Sequence, residues 1–288
     1  MRNENRTNPI PRVPYVYPDV LRQSIEHLPS VPGVYFFYGE SDTLPLYIGK
    51  SVNIRSRVLA HLRNPAEAAL LSQSRKVTFQ ATVGELGALL LEARLIKRLT
   101  PLFNKRLRKL RQLYTLRLTE ENIAVVALRE TEFGRTPNIY GLYKNSHLAK
   151  EALKRIADEN RLCYGLLGLE KRPDNRPCFR YALNKCSGAC CGEISLSEHR
   201  SRLLIALKSI EVLCWPWQGR IAVYEQSDTG QCYHIIHNWA WLGDVDSLDN
   251  AAELTSVTDG YDIDSYKILA KLLLSGNYQI VELDNGGI

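Results

Sequence analysis

An unbroken run of β-branched and aromatic residues, Gly33-Val34-Tyr35-Phe36-Phe37-Tyr38, follows a Pro32-Gly33 turn and predicts a strand. After the loop Gly39–Pro45 comes a second short run, Leu46-Tyr47-Ile48-Gly49, so the pair reads as an antiparallel hairpin. Ile54, Val58 and Leu62 then recur every four residues, which predicts a helix over Asn53–Leu62. Arg57 and His61, also four apart, share a neighbouring face of it. Lys76–Val83 reads as a third strand. Gly84–Leu99 is amphipathic at helical period, with Leu86, Leu89, Leu90, Ala93 and Ile96 inward, Glu92 on the flank of that stripe and Pro101 closing the helix. Before the hairpin, Pro9, Pro11, Pro14 and Pro18 favour an extended arm, and a short helix is expected over Val20–Leu28. Beyond it, residues 112–145 read as short strands with turns, and Ser146–Asn160 and His199–Leu213 as helices. The remainder mixes strands with one helix near Asp264–Leu274.

At 288 residues the chain exceeds the usual single domain, and 45% hydrophobic with 24% charged residues is the composition of a folded globular protein. No apolar run approaches the length that crosses a bilayer, and the first residues lack a signal-peptide core, so a cytoplasmic protein is expected. The net charge of +6 hides an asymmetry. From Glu225 onward there are eleven Asp/Glu against Lys267 and Lys271, a net of −9, which leaves +15 on everything before. Between Arg94 and Arg111 lie Arg94, Lys97, Arg98, Lys105, Arg106, Arg108, Lys109 and Arg111 with no acid among them. Scattered charge merely keeps a surface soluble, but a block like this usually tracks phosphates. Trp215, Trp217, Trp239 and Trp241 read as core anchors and not as base-stacking platforms.

The seven cysteines are Cys163, Cys178, Cys186, Cys190, Cys191, Cys214 and Cys232. Disulfides are an unusual use for them in a cytosolic protein. Cys186 and Cys190 enclose Ser-Gly-Ala, small residues that let backbone and thiolates wrap one centre. Cys163, Cys178, Cys186 and Cys190 therefore read as a metal or iron–sulfur site, since four thiolates bind either, with buried thiols as the plain alternative. Cys191 could replace Cys190. Cys214 and Cys232 read as core residues.

Phosphodiester hydrolysis needs an activated water, charge stabilisation on the transition state and a route for the leaving oxygen. Residues 33–104 offer a candidate for each. Gly33-Val34-Tyr35 and Tyr47-Ile48-Gly49, with Arg57 on the next helix, Glu92 on a later one and Asn104 beyond it, resemble the GIY-YIG nuclease family. Singly, each of these residues has an ordinary structural role open to it; together, at this spacing, they are specific. The resemblance implies Tyr47 as general base or proton relay, assisted by Lys50, and Tyr35 hydrogen-bonded around a metal-bound water. It implies Arg57 on the scissile phosphate, Glu92 as the sole protein ligand of Mg²⁺ or Mn²⁺, and Asn104 as a brace. One carboxylate suffices for magnesium, which keeps most of its water shell. His61 stands where excinuclease C commonly has tyrosine, and a histidine titrating near neutrality would change the pH profile.

Residues 28–195 resemble excinuclease C, whose Arg-Pro-Cys and later Cys-x-x-x-Cys match Arg176-Pro177-Cys178 and Cys186–Cys190. The resemblance implies a 4Fe-4S cluster, with zinc as the alternative. It also implies one nick 3′ to a lesion in double-stranded DNA during nucleotide excision repair. The partner would be the excinuclease B subunit (UvrB), loaded by UvrA, and the chain would act as a monomer. No second nuclease half is read here. The fold expected is α/β: a small, mainly antiparallel three-stranded sheet flanked by helices, then a mixed α+β cysteine-bearing region. The segments are an arm and short helix (1–29), a nuclease domain (30–110), a linker and cysteine region (111–195) and an acidic C-terminal lobe of unassigned role (196–288). Two other readings stay open: a GIY-YIG nuclease of mobile elements or recombination, and a non-catalytic DNA-binding or assembly protein.

Overall fold

The computed structural model describes residues 19–104, 113–120, 122–171, 176–255 and 263–283. The proline-rich arm and the expected DNA contacts Lys105, Arg106, Arg108, Lys109 and Arg111 lie outside the described residues.

The first unit runs α1 (Val20–Glu26), β1 (Gly33–Tyr38), β2 (Pro45–Ser51), α2 (Ile54–Leu62), α3 (Ala68–Leu71), β3 (Lys76–Ala81) and α4 (Glu85–Leu99). The sheet order is β2-β1-β3 and both pairings are antiparallel, as expected. Successive side chains of a strand point to opposite faces. In the central strand β1, Tyr35 and Phe37 therefore pack with α1 and α2 through Leu21, Ile54 and Val58. Val34 and Phe36 pack on the other face with Leu95 and Ile96 of α4. That double burial is why β1 reads as continuous apolar sequence without alternation. Asn53 caps α2 by accepting the Ser56 N–H, which brings Arg57 and His61 up beside the sheet.

The second sheet joins β4 (Tyr114–Leu118), β5 (Ile123–Ala127) and β6 (Ile139–Tyr143) in the order β5-β4-β6. It packs with α5 (Ser146–Glu159) and α7 (Leu196–Leu207), and the short α6 (Phe179–Ala182) lies between those two helices in sequence. The helix expected over His199–Leu213 starts earlier because Ser195 caps it, accepting the Glu198 N–H, and it gives way to a 3₁₀ turn after Leu207. The third sheet contains β7 (Arg220–Ser227), β8 (Gly230–His237), β9 (Ala240–Val245) and β10 (Ile280–Leu283) in the order β10-β7-β8-β9, with α8 (Ile263–Leu273) alongside.

The acidic lobe is not a separate body. Leu86 and Leu90 of α4 belong to one core with Ile221, Val223, Ile236, Trp239, Trp241 and Leu269, so α4 is buried from two sides. Trp239 is wholly inaccessible and Trp241 nearly so, which makes both of them core anchors. Among the described residues, no helix is long and apolar enough to cross a membrane.

Candidate nuclease site and cysteine centre

Pairing of β1 with β2 sets Tyr35 opposite Gly49 and Phe37 opposite Tyr47. The third residue of the second tripeptide has to be glycine on packing grounds. A Cβ there would lie 2.3 Å from the Tyr35 hydroxyl oxygen and 2.8 Å from Cε1 of Tyr47. The two tyrosine rings sit 6.2 Å apart, and the His61 ring is 5.5 Å from each. The Tyr35 hydroxyl is 2.7 Å from Nε2 of His61, and the exposed Arg57 guanidinium reaches the same hydroxyl. Tyr35 is thus the buried centre of a polar cluster rather than a group facing solvent.

Burial raises Tyr35 far above the usual phenol range, with Tyr47 adding to it and Arg57 opposing. Tyr47 is also raised by burial; hydrogen bonding to Tyr35 and the charge of Arg57 oppose the shift, and the charge of Glu92 adds to it. His61 is pushed down to about 4 by burial and then by Arg57. It is therefore neutral at physiological pH, which corrects the expectation that it titrates near neutrality. Its Nδ1 lies 3.7 Å from Glu67, and with a neutral ring that contact is polar packing and not an ion pair.

Glu92 Oε1 accepts the backbone N–H of Lys50 at 3.0 Å, which ties α4 to β2. Burial holds its carboxyl above the usual range, although Lys50 and Arg57 pull the other way. A carboxylate in that condition lacks positive charge, and a hard divalent cation with oxygen and water ligands would supply it. Asn104 accepts the Ile48 N–H at 2.9 Å and donates to the Ile48 carbonyl at 2.8 Å, pinning β2 as a neighbouring strand would. The Lys50 side chain has a partner the sequence reading did not name: its Nζ is 2.7 Å from Glu85 Oε1. Glu85, which sequence reasoning passed over, is thereby part of the site's rim. The signal was available, since seven residues separate it from Glu92 and i, i+7 positions share a helix face.

Two of the expected DNA contacts are corrected by their surroundings. Arg94 lies over the Trp241 indole at 3.7 Å and donates to the Trp241 carbonyl, and Lys97 is 3.2 Å from Asp264. Both turn toward the C-terminal lobe, because α4 passes between the lobe and the nuclease sheet. Arg98 is exposed.

Cys163, Cys178, Cys186 and Cys190 are all buried, and their sulfurs lie within 4.8 Å of one another. Cys191 is exposed and its thiol faces the Gly188 carbonyl, so it does not replace Cys190. The Cys178 N–H points at Cys190 Sγ at 3.5 Å and the Gly188 N–H at Cys186 Sγ at 3.4 Å, contacts that favour thiolates. The Cys163 N–H donates to His199 Nε2. Burial pushes the Cys163 thiol up to about 11, with the neighbouring sulfurs adding to it. Four thiolates packed this closely would repel one another without a cation between them, and the donor set suits zinc or an iron–sulfur cluster.

Residues 31–105 match a UvrC-like GIY-YIG domain, residues 113–209 the middle domain of UvrC/Cho excinucleases and residues 220–287 the C-terminal domain of excinuclease Cho. Excinuclease cho of Escherichia coli K12 is 58% identical over 270 residues, covering 94% of this chain and 92% of that protein. Its Salmonella typhimurium counterpart is 55% identical over 269 residues, with 93% and 92% covered. UvrABC system protein C of Dictyoglomus thermophilum is 32% identical over 183 residues, 62% of this chain and 30% of that one. The magnesium-bound GIY-YIG N-terminal endonuclease domain of Thermotoga maritima UvrC is 28% identical, with a TM-score of 0.28 over 30% of this chain and 98% of that one. With near-complete coverage at this identity, the chain belongs to the excinuclease Cho family of UvrC-like GIY-YIG endonucleases.

Proposed function

We propose that this endonuclease makes a single nick 3′ to a lesion in double-stranded DNA during nucleotide excision repair. The observation that carries this reading is the convergence of Tyr35, Tyr47, Arg57 and His61 beside a half-buried carboxylate, Glu92, that is held above its ordinary pKa range. Decayed nuclease folds used only for binding have no need of that arrangement, and a mobile-element nuclease would want its own sequence-reading module. Damage recognition would come from the B subunit, loaded by the A subunit, acting with a monomer of this chain in the cytoplasm as part of the SOS response.

Arg57, exposed and always charged, binds the scissile phosphate. Tyr47 accepts the proton of the attacking water, directly or by relay. Tyr35 and neutral His61 hold Tyr47 and Arg57 in place through the shared hydroxyl. Asn104 fixes β2, and Lys50 with Glu85 lines the edge. Glu92 would hold one Mg²⁺ or Mn²⁺, which supplies a Lewis acid and a bound water of lowered pKa. Arg98, with the basic stretch that follows, guides the DNA backbone. The four cysteines hold a metal centre remote from this chemistry. The resemblance to excinuclease C favours 4Fe-4S, whereas sulfurs this close together favour a single tetrahedral zinc, whose ~2.3 Å bonds set sulfurs about 3.8 Å apart.

The test is nicking of a lesion-bearing duplex by anaerobically purified wild type, Glu92→Gln and Tyr47→Phe, with Mg²⁺ or Mn²⁺ and the loaded B subunit. A single 3′ nick that needs the metal and both side chains is the expected result. Wild-type protein that binds the complex and never nicks under either metal would sink the reading. The visible spectrum and metal content separate cluster from zinc.

A further inference from the structure

Helix α4 carries Glu92, yet its N-terminus has no cap of its own. The capping position is Gly84, in extended backbone and without a side chain to offer. The cap arrives from 139 residues away: Glu225 Oε1 accepts the Leu86 N–H at 2.7 Å and Glu225 Oε2 accepts the Gly87 N–H at 3.1 Å. Glu225 sits on β7 with 7% exposure, and His234 of β8 braces it, with Nε2 2.9 Å from Oε2. The helix is cut to receive this pair. A Cβ at Gly84 would lie 2.3 Å from Glu225 Oε1, and one at Gly87 would lie 3.1 Å from His234 Cε1.

We propose that Glu225, braced by His234, is a positioning residue of the nuclease, capping α4 from the C-terminal domain and thereby setting the place of Glu92. This rests on Glu92 being the metal ligand, as proposed above. Seven residues of helix, about 10 Å, separate the first helical residue from Glu92, and a helix is stiff over two turns. The same helix is gripped farther along by Trp241 on Arg94 and by Asp264 on Lys97. One flank is thus held by the C-terminal domain while the other presents Glu92 to β2. An anion at a helix N-terminus is stabilised by the unpaired N–H groups and the helix dipole. Burial works against the Glu225 carboxylate, but His234 and the two backbone N–H groups outweigh it and hold its pKa below the usual range.

Cys232, 3.5 Å from His234 Nε2, completes a Glu-Cys-His cluster with the outline of a metal site. The hydrogen bonds already in place weigh against that use. Both carboxylate oxygens are engaged by N–H groups, and burial, with the charge of Glu225 adding to it, pushes the Cys232 thiol up to about 12, so it stays protonated.

The experiment uses the full chain with Glu225→Ala, Glu225→Gln, Cys232→Ala, and the double variant Glu225→Ala with Gly84→Ser. Three quantities are read: single-turnover nicking rate, Mn²⁺ affinity, and hydrogen exchange at the Leu86 and Gly87 amides. Glu225→Ala is expected to lower the rate about 10- to 100-fold, to weaken Mn²⁺ binding and to expose both amides, with little change in KM for DNA. Glu225→Gln falls between, and Cys232→Ala matches wild type. Serine at position 84 fits once the carboxylate is gone, so the double variant recovers amide protection and most of the rate. Folded Glu225→Ala with unchanged rate and Mn²⁺ affinity, a folded double variant that recovers nothing, or stoichiometric metal lost in Cys232→Ala would each overturn the proposal. The amide exchange stands apart from activity, so failure of the Glu92 assignment would show as Mn²⁺ binding that Glu92→Gln leaves intact.

Discussion

The nuclease site and the cysteine centre each contain groups whose pKa burial has raised, Tyr35 and Glu92 in the first and Cys163 and Cys186 in the second, but one is open and the other closed. Arg57 and Glu85 stand exposed at the rim of the first, and Lys50 is partly so. The four cysteines of the second have no more than 8% exposure each. A metal held there would have no open position for substrate and would contribute to folding. A site with an exposed guanidinium near a half-buried carboxylate is suited to an anionic backbone arriving from solvent. The contrast shows that perturbed titration marks both kinds of site and that access tells them apart.

The sharpest way to break the comparison is Cys178→Ala. If the centre is structural, bound metal disappears and Tm falls on the order of 10 °C or more; metal content and Tm like wild type would remove it from the fold's support. Next is Arg57→Ala, expected to lower the single-turnover nicking rate about 10²- to 10³-fold with unchanged Tm, the effect of losing the proposed stabilisation of transition-state charge by an exposed residue outside the core. A loss confined to KM would make Arg57 a docking contact only.

His61→Tyr tests burial within the open site. The folded pKa of His61, about 4, lies below its free value of 6.5, so the folded state binds fewer protons between those values. Its contribution to stability is full above pH 6.5 and is lost as the pH falls toward 4, by up to about 3 kcal/mol. Urea denaturation at pH 7 and pH 4.5 should show a smaller acid loss in the variant, and equal losses would contradict the burial effect. The smallest effect belongs to Cys191→Ser, which should leave metal content unchanged and shift stability by less than about 0.5 kcal/mol. A lost centre there would put Cys191 among its ligands.

Much of the nuclease unit was legible because its signals are local. The β1–β2 hairpin, the period-four stripe of α2 and the 3.6-period stripe of α4 each lie within one window of sequence. What escaped was tertiary. Alanine and leucine at residues 68–71 are too few to show a period, so α3 was missed. Leu86 and Leu90 were read as facing one core, whereas α4 serves two. Arg94 and Lys97 read as phosphate contacts because a charge block gives no hint that Trp241 and Asp264 will meet it. The downward shift of His61 comes from packing against Tyr35 and from Arg57, and composition carries neither. Glu225 looked like one acid among eleven; its role required knowing which helix end lay against β7.

Because α4 is shared between two cores, its completion depends on the order of synthesis. When the nuclease unit emerges from the ribosome, the core around Leu86 and Leu90 is incomplete, since Ile221, Val223 and Trp241 are more than a hundred codons downstream. At ordinary elongation rates that interval is on the order of ten seconds. During it the nascent chain holds both tyrosines, Arg57 and Glu92 on a helix that is only half covered. A truncated product of an interrupted message would stop in that state, with the candidate site residues present and the C-terminal side of the α4 core missing.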